Sequence, residues 1–324
     1  MPTRAILIQN PTAGQGDWQE QIRAALETFQ HAGWEITLRE TTGQGDATQF
    51  AKEAVAEGRD IVVVAGGDGT VNEALQGLAE QTHTALAVLP GGTVNVWATE
   101  LGSGDGQEDI AARIVAGRRR RIDIGRVNDR YFMMMASAGF DAETSALVSD
   151  TPELKQMKRR VGPLAYTLAA VRTLRTFRGR GLLLEIDGRA VRRRALMVIV
   201  GNTRLYGGIA QITYQAHADD GSLDLCVLTG QGPLDLARRF VSVALRRQRQ
   251  DDHIDYRKVQ RVTITTVDTT RPLRVQADGE DIGETPVTLE VIPAALEVII
   301  FPDTPPGFLS DDDESGEGED ENKA

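Results

Sequence analysis

Hydrophobic residues follow two different patterns in the two halves of this chain. In the first 120 residues, short β-branched runs alternate with longer segments of helical period, as in βα units around a parallel sheet. The pattern predicts strands at residues 4–9, 34–39, 60–65 and 85–89, and helices at residues 17–31, 46–57, 70–79 and 94–101. A polar or glycine-rich turn follows each strand at its carboxyl end, where open α/β sheets bind ligands.

After residue 121 the pattern changes to paired strands joined by turn dipeptides such as Asn128-Asp129, Asp187-Gly188 and Asp278-Gly279. Strands are predicted at residues 122–127, 131–137, 182–186, 190–200, 223–228, 259–267, 273–277 and 287–291. Helical insertions are predicted near residues 153–177 and 233–247. We therefore expect an α/β domain at residues 1–121, an all-β sandwich-like domain at 122–307 and an acidic disordered tail at 308–324. The closing run at 295–301 could pair in either domain.

Composition and charge limit the classes of partner. The formal net charge is −11, and residues 311–324 carry seven of those charges, so no general basic field for nucleic acid exists. The single cysteine, Cys226, excludes an internal disulfide and indicates a reducing, cytoplasmic setting. Because no apolar run approaches a membrane span, we expect any contact with lipid to be peripheral.

The strongest local signal is a glycine turn between a buried strand and a helix. It reads Gly66, Gly67, Asp68, Gly69, Thr70, Val71 and Asn72. Glycines let backbone N–H groups approach an anion closely, which favours phosphate binding. The segment is not a Walker A loop, and Asn72 stands where a Rossmann fingerprint has its last glycine. The alternative is a plain tight turn.

Two further loops of similar composition follow neighbouring predicted strands. The first comprises Asn10, Pro11, Thr12, Ala13 and Gly14, and the second comprises Gly91, Gly92, Thr93, Val94 and Asn95. Either loop alone is most simply a turn. Three such loops at one sheet edge predict one ligand that carries several phosphates.

With these motifs the sequence resembles the diacylglycerol kinase-like lipid kinases, which share a nucleotide-binding domain with NAD kinases, sphingosine kinases and ceramide kinases. The resemblance covers about residues 4–301. The motifs that carry it are N-P-x-A-G at residue 10, G-G-D-G-T-x-N at residue 66, G-T-x-N at residue 92, A-D-D-G-x-L-D at residue 218 and D-G-E at residue 278. It implies an NAD kinase-like first domain and ATP contacts through the loop from Asn10 to Gly14, Thr41, the segment from Gly66 to Asn72, and Thr93.

The resemblance also implies catalytic and metal-binding residues in the later motifs. It assigns Glu280 as the proton acceptor, with Asp278 as its partner, whereas an Asp-Gly hairpin turn without a chemical role is the alternative for Asp278. It implies a structural Mg²⁺ at Asp220, with His217 and Ser222, and an ordinary turn is the alternative there. A further Mg²⁺ would accompany ATP near Asp68.

The predicted helix near residues 153–177 begins with a basic segment that includes Lys155, Lys158, Arg159 and Arg160. An amphipathic basic helix can rest on anionic lipid headgroups. It can equally be a core helix with one solvated face.

We expect an ATP-dependent lipid kinase with Mg²⁺ as cofactor, a membrane lipid as substrate and peripheral membrane association. Diacylglycerol, giving phosphatidic acid, is the leading acceptor. The alternatives are an NAD kinase, a kinase of sphingoid or other lipids, and a nucleotide-binding regulator without catalysis. The sequence does not decide the acceptor lipid or the oligomeric state.

Overall fold

The computed structural model describes residues 2–14, 18–81, 83–92, 95–103, 110–207 and 210–310. The chain divides into two compact units. The first comprises the residues up to Ile124, His217–Gly221 and the residues from Ile292 onward, and the second comprises Gly125–Ala216 and Ser222–Val291. Residues 311–324 of the predicted acidic tail lie outside the described part.

The first unit is built on a parallel sheet whose strands run in the order β4-β3-β1-β2. These strands are β1 (Arg4–Gln9), β2 (Glu35–Glu40), β3 (Ile61–Gly66) and β4 (Ala85–Pro90). All six residues of β3 are buried, as the uninterrupted apolar run predicts for a central parallel strand. The order places the carboxyl ends of β1, β3 and β4 side by side.

Within the described residues, the first unit contains the helices α1 (Trp18–His31), α2 (Asp46–Ala56), α3 (Asp68–Leu78), α4 (Val96–Glu100) and α5 (Ile110–Ala116). Helix α1 buries Trp18, Ile22, Ala25 and Phe29, which share one face at helical spacing. Helices α2 and α3 approach closely, because a Cβ added at Gly77 would lie 2.6 Å from the Thr48 carbonyl oxygen. Helix α5 was not predicted because it is only seven residues long and Arg113 interrupts its apolar residues.

The second unit is mainly antiparallel and contains the strands β6 to β16 and parts of β5 and β17. The strands of this half are β5 (Arg118–Val127), β6 (Arg130–Phe132), β7 (Met135–Gly139), β8 (Arg180–Ile186), β9 (Arg189–Gly201), β10 (Leu205–Tyr206), β11 (Ala210–Gln211), β12 (Leu223–Thr229), β13 (Ile254–Val259), β14 (Arg261–Thr266), β15 (Arg274–Ala277), β16 (Glu280–Glu284) and β17 (Val287–Ile300). Its helices are α6 (Phe140–Asp150), α7 (Pro152–Thr176) and α8 (Pro233–Ala244), and a 3₁₀ turn covers Gln248–Gln250.

Strand β9 organises the second unit. Its first half pairs with β8, and its second half pairs with β7 on one edge and with β12 on the other. Residues 195–201 of β9 are all buried, because both edges are paired and both faces are covered. The predicted turns are confirmed where they join strands, since Asn128, Asp187 and Asp278 adopt φ values of 51°, 46° and 47°.

The structure differs from the prediction at several elements. The single strand predicted at 131–137 is two strands, β6 and β7, and the runs at 287–291 and 295–301 form one strand, β17. Residues 287–290 of β17 pair with β14, and Val298 pairs with Leu86 of β4. Strands β10, β11, β13 and β16 and helix α6 were not predicted. The tail was predicted to begin at residue 308, yet Phe308 and Leu309 are buried, and the Phe308 ring lies 5.6 Å from that of Trp97.

A buried carboxyl group lies beneath the hairpin formed by β15 and β16. The Asp141 Oδ2 atom accepts hydrogen bonds from Ser137 Oγ (2.5 Å) and Tyr206 Oη (3.0 Å). Gln276 Nε2 also donates to it at 3.2 Å, while Gln276 Oε1 accepts the Gly279 amide at 2.7 Å. Burial raises the pKa of Asp141, although these hydrogen bonds oppose the shift. The network therefore fixes the turn from below.

This network predicts a pH-dependent stability difference between the wild type and Asp141→Asn. The folded protein binds the Asp141 proton more tightly than the unfolded chain, so the wild type loses free energy of unfolding as pH rises from about 3.8 through the raised pKa. The amide side chain of the variant cannot ionise, so the variant lacks this loss. Urea unfolding of both proteins across that pH range measures the difference, and identical slopes would contradict it.

Candidate functional site

Three loops meet at the carboxyl edge of the parallel sheet in the first unit. The Asn10 amide donates to the Ala65 carbonyl at 2.9 Å, and the Gly91 amide donates to the Gly66 carbonyl at 2.8 Å. The Gly14 amide donates to the Gly91 carbonyl at 2.5 Å. The predicted juxtaposition of the loops after β1, β3 and β4 is therefore present, and backbone hydrogen bonds hold it.

Glycines at this edge are required by close contact between the loops. A Cβ added at Gly92 would lie 2.8 Å from the Gly67 Cα, and one at Gly66 would lie 2.9 Å from the Thr70 side chain. Real Cβ atoms do not approach other atoms at these distances. The loops thus present main chain at their surface, where N–H groups can reach an anion without interference from side chains.

The first loop is fastened to α3 by the side chain of Asn10. Asn10 Nδ2 donates to Thr70 Oγ1 at 3.2 Å, and Asn10 Oδ1 accepts the Thr12 amide and hydroxyl at 3.0 and 2.8 Å. The Ala13 amide donates to the Asn10 carbonyl at 3.1 Å, which closes the turn around Pro11. Pro11 and Thr12 are exposed at the rim.

Helix α3 begins beside these loops without a side-chain cap. Its N-cap residue, Gly67, is extended, and the amides of Thr70 and Val71 donate to its carbonyl at 2.9 and 3.2 Å. Helix N-termini carry partial positive charge and favour anions. Asp68 and Gly69 belong to the first turn, whereas Val71 and Asn72 are buried and support the helix from within.

Thr41 lies at the end of β2, next to the first loop. Its amide donates to the Gln9 carbonyl at 2.9 Å. The neighbouring Thr42 is committed elsewhere, since its amide and hydroxyl both donate to Asp46 Oδ2, at 2.7 and 2.8 Å. The Thr42 amide is the main cause that holds the pKa of Asp46 below its usual range. This arrangement favours Thr41 over Thr42 as the threonine of the site.

Thr93 and Val94 lie outside the described residues, and side-chain hydrogen bonds join the residues on either side of them. The Gly92 amide donates to Asn95 Oδ1 at 2.7 Å, and Asn95 Nδ2 donates back to the Gly92 carbonyl at 2.8 Å. Asn95 also takes a left-handed conformation with φ of 52°. The asparagine of the G-T-x-N motif is therefore joined to Gly92 by two hydrogen bonds.

The Asp-Gly-Glu turn lies in the second unit between β15 and β16. The Asp278 carboxylate accepts three main-chain amides, from Met133 at 2.7 Å and from Met134 and Met135 at 3.0 Å each. The Asp278 amide donates to the Met135 carbonyl at 2.9 Å. These bonds occupy both carboxylate oxygens and explain the break between β6 and β7. The three bonds use most of the acceptor capacity of the Asp278 carboxylate and tie the turn to the main chain of residues 133–135.

Glu280 differs from Asp278 in its surroundings. It is the first residue of β16, pairs across the hairpin with Ala277 and is half-buried. Within the described ranges its carboxylate has no hydrogen-bond or ion-pair partner. Of the two acids in the turn, Glu280 is thus the one whose carboxylate oxygens are not already hydrogen-bonded within the described residues.

The predicted metal residues do not form a closed side-chain cage. His217 and Asp220 lie in the 217–221 segment of the first unit, and Ser222 follows along the chain. Among the residues described, no group of three His, Cys, Asp or Glu side chains is arranged to hold a metal ion. The metal-binding role of His217, Asp220 and Ser222 stays a prediction that depends on backbone oxygens as well as the Asp220 carboxylate.

Asp123 is a buried acid beside that segment that the sequence did not reveal. Its carboxylate accepts the amides of Gly221 at 2.6 Å and Ala294 at 2.7 Å. Burial raises the pKa of Asp123, and the negative charges of Asp220 and Asp219 add to the shift. Several carboxylates therefore crowd this loop, which is the electrostatic condition that a cation relieves. The only sequence signal is an isolated aspartate in an apolar strand.

Two family models match consecutive parts of the chain. The diacylglycerol kinase catalytic domain matches residues 4–127, and the YegS C-terminal NAD kinase beta sandwich-like domain matches residues 134–300. Both matches agree with the predicted order of an α/β domain followed by a β-rich domain. In the described part of the chain, no helix combines the length and apolar character needed to cross a membrane.

Curated relatives and solved structures extend over most of the chain. A diacylglycerol kinase of Bacillus subtilis (strain 168) is 34% identical over 87% of this chain and 91% of its own length. A diacylglycerol kinase of Staphylococcus aureus (strain bovine RF122 / ET3-1) is 30% identical over 88% of this chain and 89% of its own. The crystal structure of a diacylglycerol kinase from Bacillus anthracis str. Sterne has a TM-score of 0.71 at 23% identity, covering 94% of this chain and 98% of its own, and supports the fold alone.

The chain that contains these three loops and the Asp-Gly-Glu turn matches both family models in order. It also aligns along most of its length with relatives named diacylglycerol kinases. The predicted resemblance is confirmed, and the chain belongs to the diacylglycerol kinase family of lipid kinases.

Proposed function

We propose that this protein transfers the γ-phosphoryl group of ATP to the free hydroxyl of diacylglycerol and so forms phosphatidic acid. The observation that carries the proposal is the close contact of the three glycine-containing loops at one edge of the sheet. Relatives at 30 and 34% identity are named diacylglycerol kinases, which supports the same function. The substrates given in those names support diacylglycerol over sphingoid lipids and NAD.

In this proposal ATP binds along the three loops of the first unit. The phosphate-binding residues are the first-loop set (Asn10, Pro11, Thr12, Ala13 and Gly14), Thr41, the α3 set (Gly66, Gly67, Asp68, Gly69, Thr70, Val71 and Asn72) and Thr93. Main-chain amides and the α3 N-terminus supply the attraction for phosphate, and Val71 and Asn72 act from beneath by packing. Mg²⁺, when bound, neutralises charge on the phosphates, and Asp68 offers the oxygen donor that this ion prefers.

We further propose that Asp220, with oxygens of His217 and Ser222, holds a structural Mg²⁺. The crowding of Asp123, Asp219 and Asp220 supports a cation there, because burial and mutual repulsion already raise the pKa of Asp123. This ion would stabilise the 217–221 segment and take no part in the transfer.

The chemical step needs a base at the attacking hydroxyl. Glu280 accepts the hydroxyl proton as the lipid oxygen attacks the γ-phosphorus, and the bond from that phosphorus to the ADP oxygen breaks. Asp278 does not exchange protons in this scheme. It holds the turn on the Met133–Met135 main chain, so that the Glu280 carboxylate is presented in one conformation.

The proposal is tested by supplying labelled ATP and Mg²⁺ with mixed micelles that contain diacylglycerol. Sphingosine in micelles and NAD in solution are parallel acceptors. Label in phosphatidic acid supports the proposal. Label only in NADP or in sphingosine phosphate identifies a different acceptor, and bound ATP without transfer to any acceptor indicates a nucleotide-binding regulator.

Replacing the proposed base should abolish turnover without loss of nucleotide binding. We expect Glu280→Gln to lower kcat by about 100-fold or more, because a positioned general base contributes about that factor. The affinity for ATP should not change. Glu185→Gln removes an exposed strand glutamate of the same unit and serves as the matched control. Equal kcat in the two variants would remove Glu280 from the role.

Replacing Asp278 should instead destabilise the fold. Asp278→Ala leaves three main-chain amides without their acceptor, so the free energy of unfolding should fall by about 3 kcal/mol. In Glu280→Gln the change should stay within about 0.5 kcal/mol, since no hydrogen bond is lost. Chemical denaturation of both variants gives the comparison. A small effect of Asp278→Ala would show that its bonds do not hold the turn.

Because the glycine loops contact each other, a methyl group placed between them should weaken ATP binding. Gly92→Ala places a Cβ against the Gly67 Cα and must push the loops apart. We expect the Kd for ATP to rise by about tenfold or more. Gly181→Ala adds the same methyl group at ordinary contact distance in β8 and should leave the Kd unchanged. Titration calorimetry measures both, and equal affinities would contradict the phosphate-cradle assignment.

A further inference from the structure

The second unit contains a cavity of about 860 Å³ whose lining is dominated by arginine. Seven arginines from β9, α8 and residues 249–257 line it, against three aspartates, Asp235, Asp252 and Asp255. A cavity with such an excess of positive charge attracts anions. None of its residues belongs to the proposed phosphate loops or to the Asp-Gly-Glu turn.

Some of these arginines are neutralised by carboxylates. Asp255 accepts a hydrogen bond from Arg257 Nε at 2.8 Å and lies 3.3 Å from Arg193 Nη2. Arg239 is buried in an ion pair with Asp251, which Ser242 also contacts. These pairs build the wall of the cavity.

Three other arginines have no carboxylate partner within the described ranges. Arg192, Arg194 and Arg249 are exposed at the cavity, and we call them the unpaired arginines. Guanidinium groups bind phosphate oxygens through two parallel hydrogen bonds and are weakly hydrated. Their chemistry therefore suits a phosphate group presented from solvent.

Helix α8 borders the same cavity and carries an exposed apolar stripe. Asp235, Arg238 and Arg239 line the cavity, while Leu236 and Val243 are buried in the core. On the opposite face from the core, Leu234, Val241 and the C-cap residue Leu245 are 64, 59 and 56% exposed. At 3.6 residues per turn these three form one line, which we call the α8 stripe.

We propose that the unpaired arginines and the α8 stripe form the surface by which this protein docks on a membrane that contains anionic phospholipid. The arginines bind lipid phosphates, and the stripe enters the apolar boundary beside them, as in helices that lie in the membrane interface. Charge complementarity favours this occupant, because seven arginines against three aspartates make the cavity locally positive although the chain as a whole has a net charge of −11. The inference rests on the proposed function, since a kinase of a membrane lipid must reach the bilayer.

Vesicle binding by the full-length protein tests this surface directly. One variant carries Arg192→Gln, Arg194→Gln and Arg249→Gln, and its matched control carries Arg118→Gln, Arg120→Gln and Arg271→Gln, three exposed arginines elsewhere. The probes are vesicles that mix phosphatidylglycerol with phosphatidylcholine, and vesicles of phosphatidylcholine alone. We expect the first variant to lose about five-fold in partitioning for each arginine removed, roughly 100-fold in all, and the control to bind mixed vesicles like the wild type.

A second variant tests the apolar part independently. Leu234→Ser, Val241→Ser and Leu245→Ser together should weaken binding to mixed vesicles by at least tenfold without changing net charge. Equal binding by the arginine variant and its control would overturn the proposal. Unchanged vesicle binding by the serine variant, with a changed molar mass in light scattering, would assign the stripe to contact between copies of this chain and would also overturn it.

Two separate measurements distinguish a failure of the docking proposal from a failure of the proposed kinase function. Vesicle binding is measured without ATP, and kinase activity is measured on a short-chain diacylglycerol dissolved in water, where no membrane is needed. The arginine variant should keep its activity in that assay. If the docking proposal is wrong, the arginine variant binds vesicles like the wild type and keeps its activity. If the proposed function is wrong, the wild type still binds vesicles but phosphorylates no diacylglycerol.

Discussion

The close approach of the loops after β3 and β4 is the constraint on which the first unit's site depends. Gly67 and Gly92 are so near that a methyl group on Gly92 would lie 2.8 Å from the Gly67 Cα, and the Gly91 amide is bonded to the Gly66 carbonyl. Only main chain can fill such a contact. Main-chain amides and an uncapped helix N-terminus are then the groups left to meet a ligand, and their partial positive charges favour phosphate. The close contact requires glycine at these positions, and glycine leaves the main-chain amides accessible to a ligand.

In the second unit, the chemistry depends on which carboxylate is already satisfied. Asp278 and Glu280 are two residues apart on one hairpin, yet Asp278 accepts three amides and Glu280 accepts none in the part of the chain described. A carboxylate that holds main-chain amides in place cannot leave them without cost, because buried amides need an acceptor. The same three hydrogen bonds hold the turn against the main chain of residues 133–135. Beneath it, Gln276 accepts the Gly279 amide and donates to Asp141, so the main chain that leads to Glu280 is held from two sides.

The sequence predicted most of this fold because its local signals agree with the packing. Strands β1, β3 and β4 and the hairpin turns at Asp187 and Asp278 follow from apolar runs and left-handed turn residues. Strand β13 was missed because Ile254–Val259 contains three charged residues, and its identity comes from pairing with β12. The break before β7 was missed because its cause, the Asp278 carboxylate, is 143 residues away along the chain. Motifs predicted which residues form the candidate site, whereas the different hydrogen bonding of Asp278 and Glu280 became visible only in the coordinates.

The charge of a local surface, like the different hydrogen bonding of two neighbouring acids, could not be predicted from the sequence alone. A net charge of −11 predicts repulsion from anionic lipid, and counting residues cannot reveal that Arg192, Arg194 and Arg249 lack carboxylate partners in the described ranges while Arg239 is buried against Asp251. Electrostatic interactions between exposed charges fade beyond about 8 Å at physiological ionic strength. A ligand at the cavity therefore responds mainly to the charged groups within that range, which include the unpaired guanidinium groups. Since α8 exposes three large apolar side chains next to this cluster, attraction to phosphate and burial of apolar surface act on the same partner. A free anion could satisfy the first but not the second, so the combination favours a lipid surface over a dissolved phosphate.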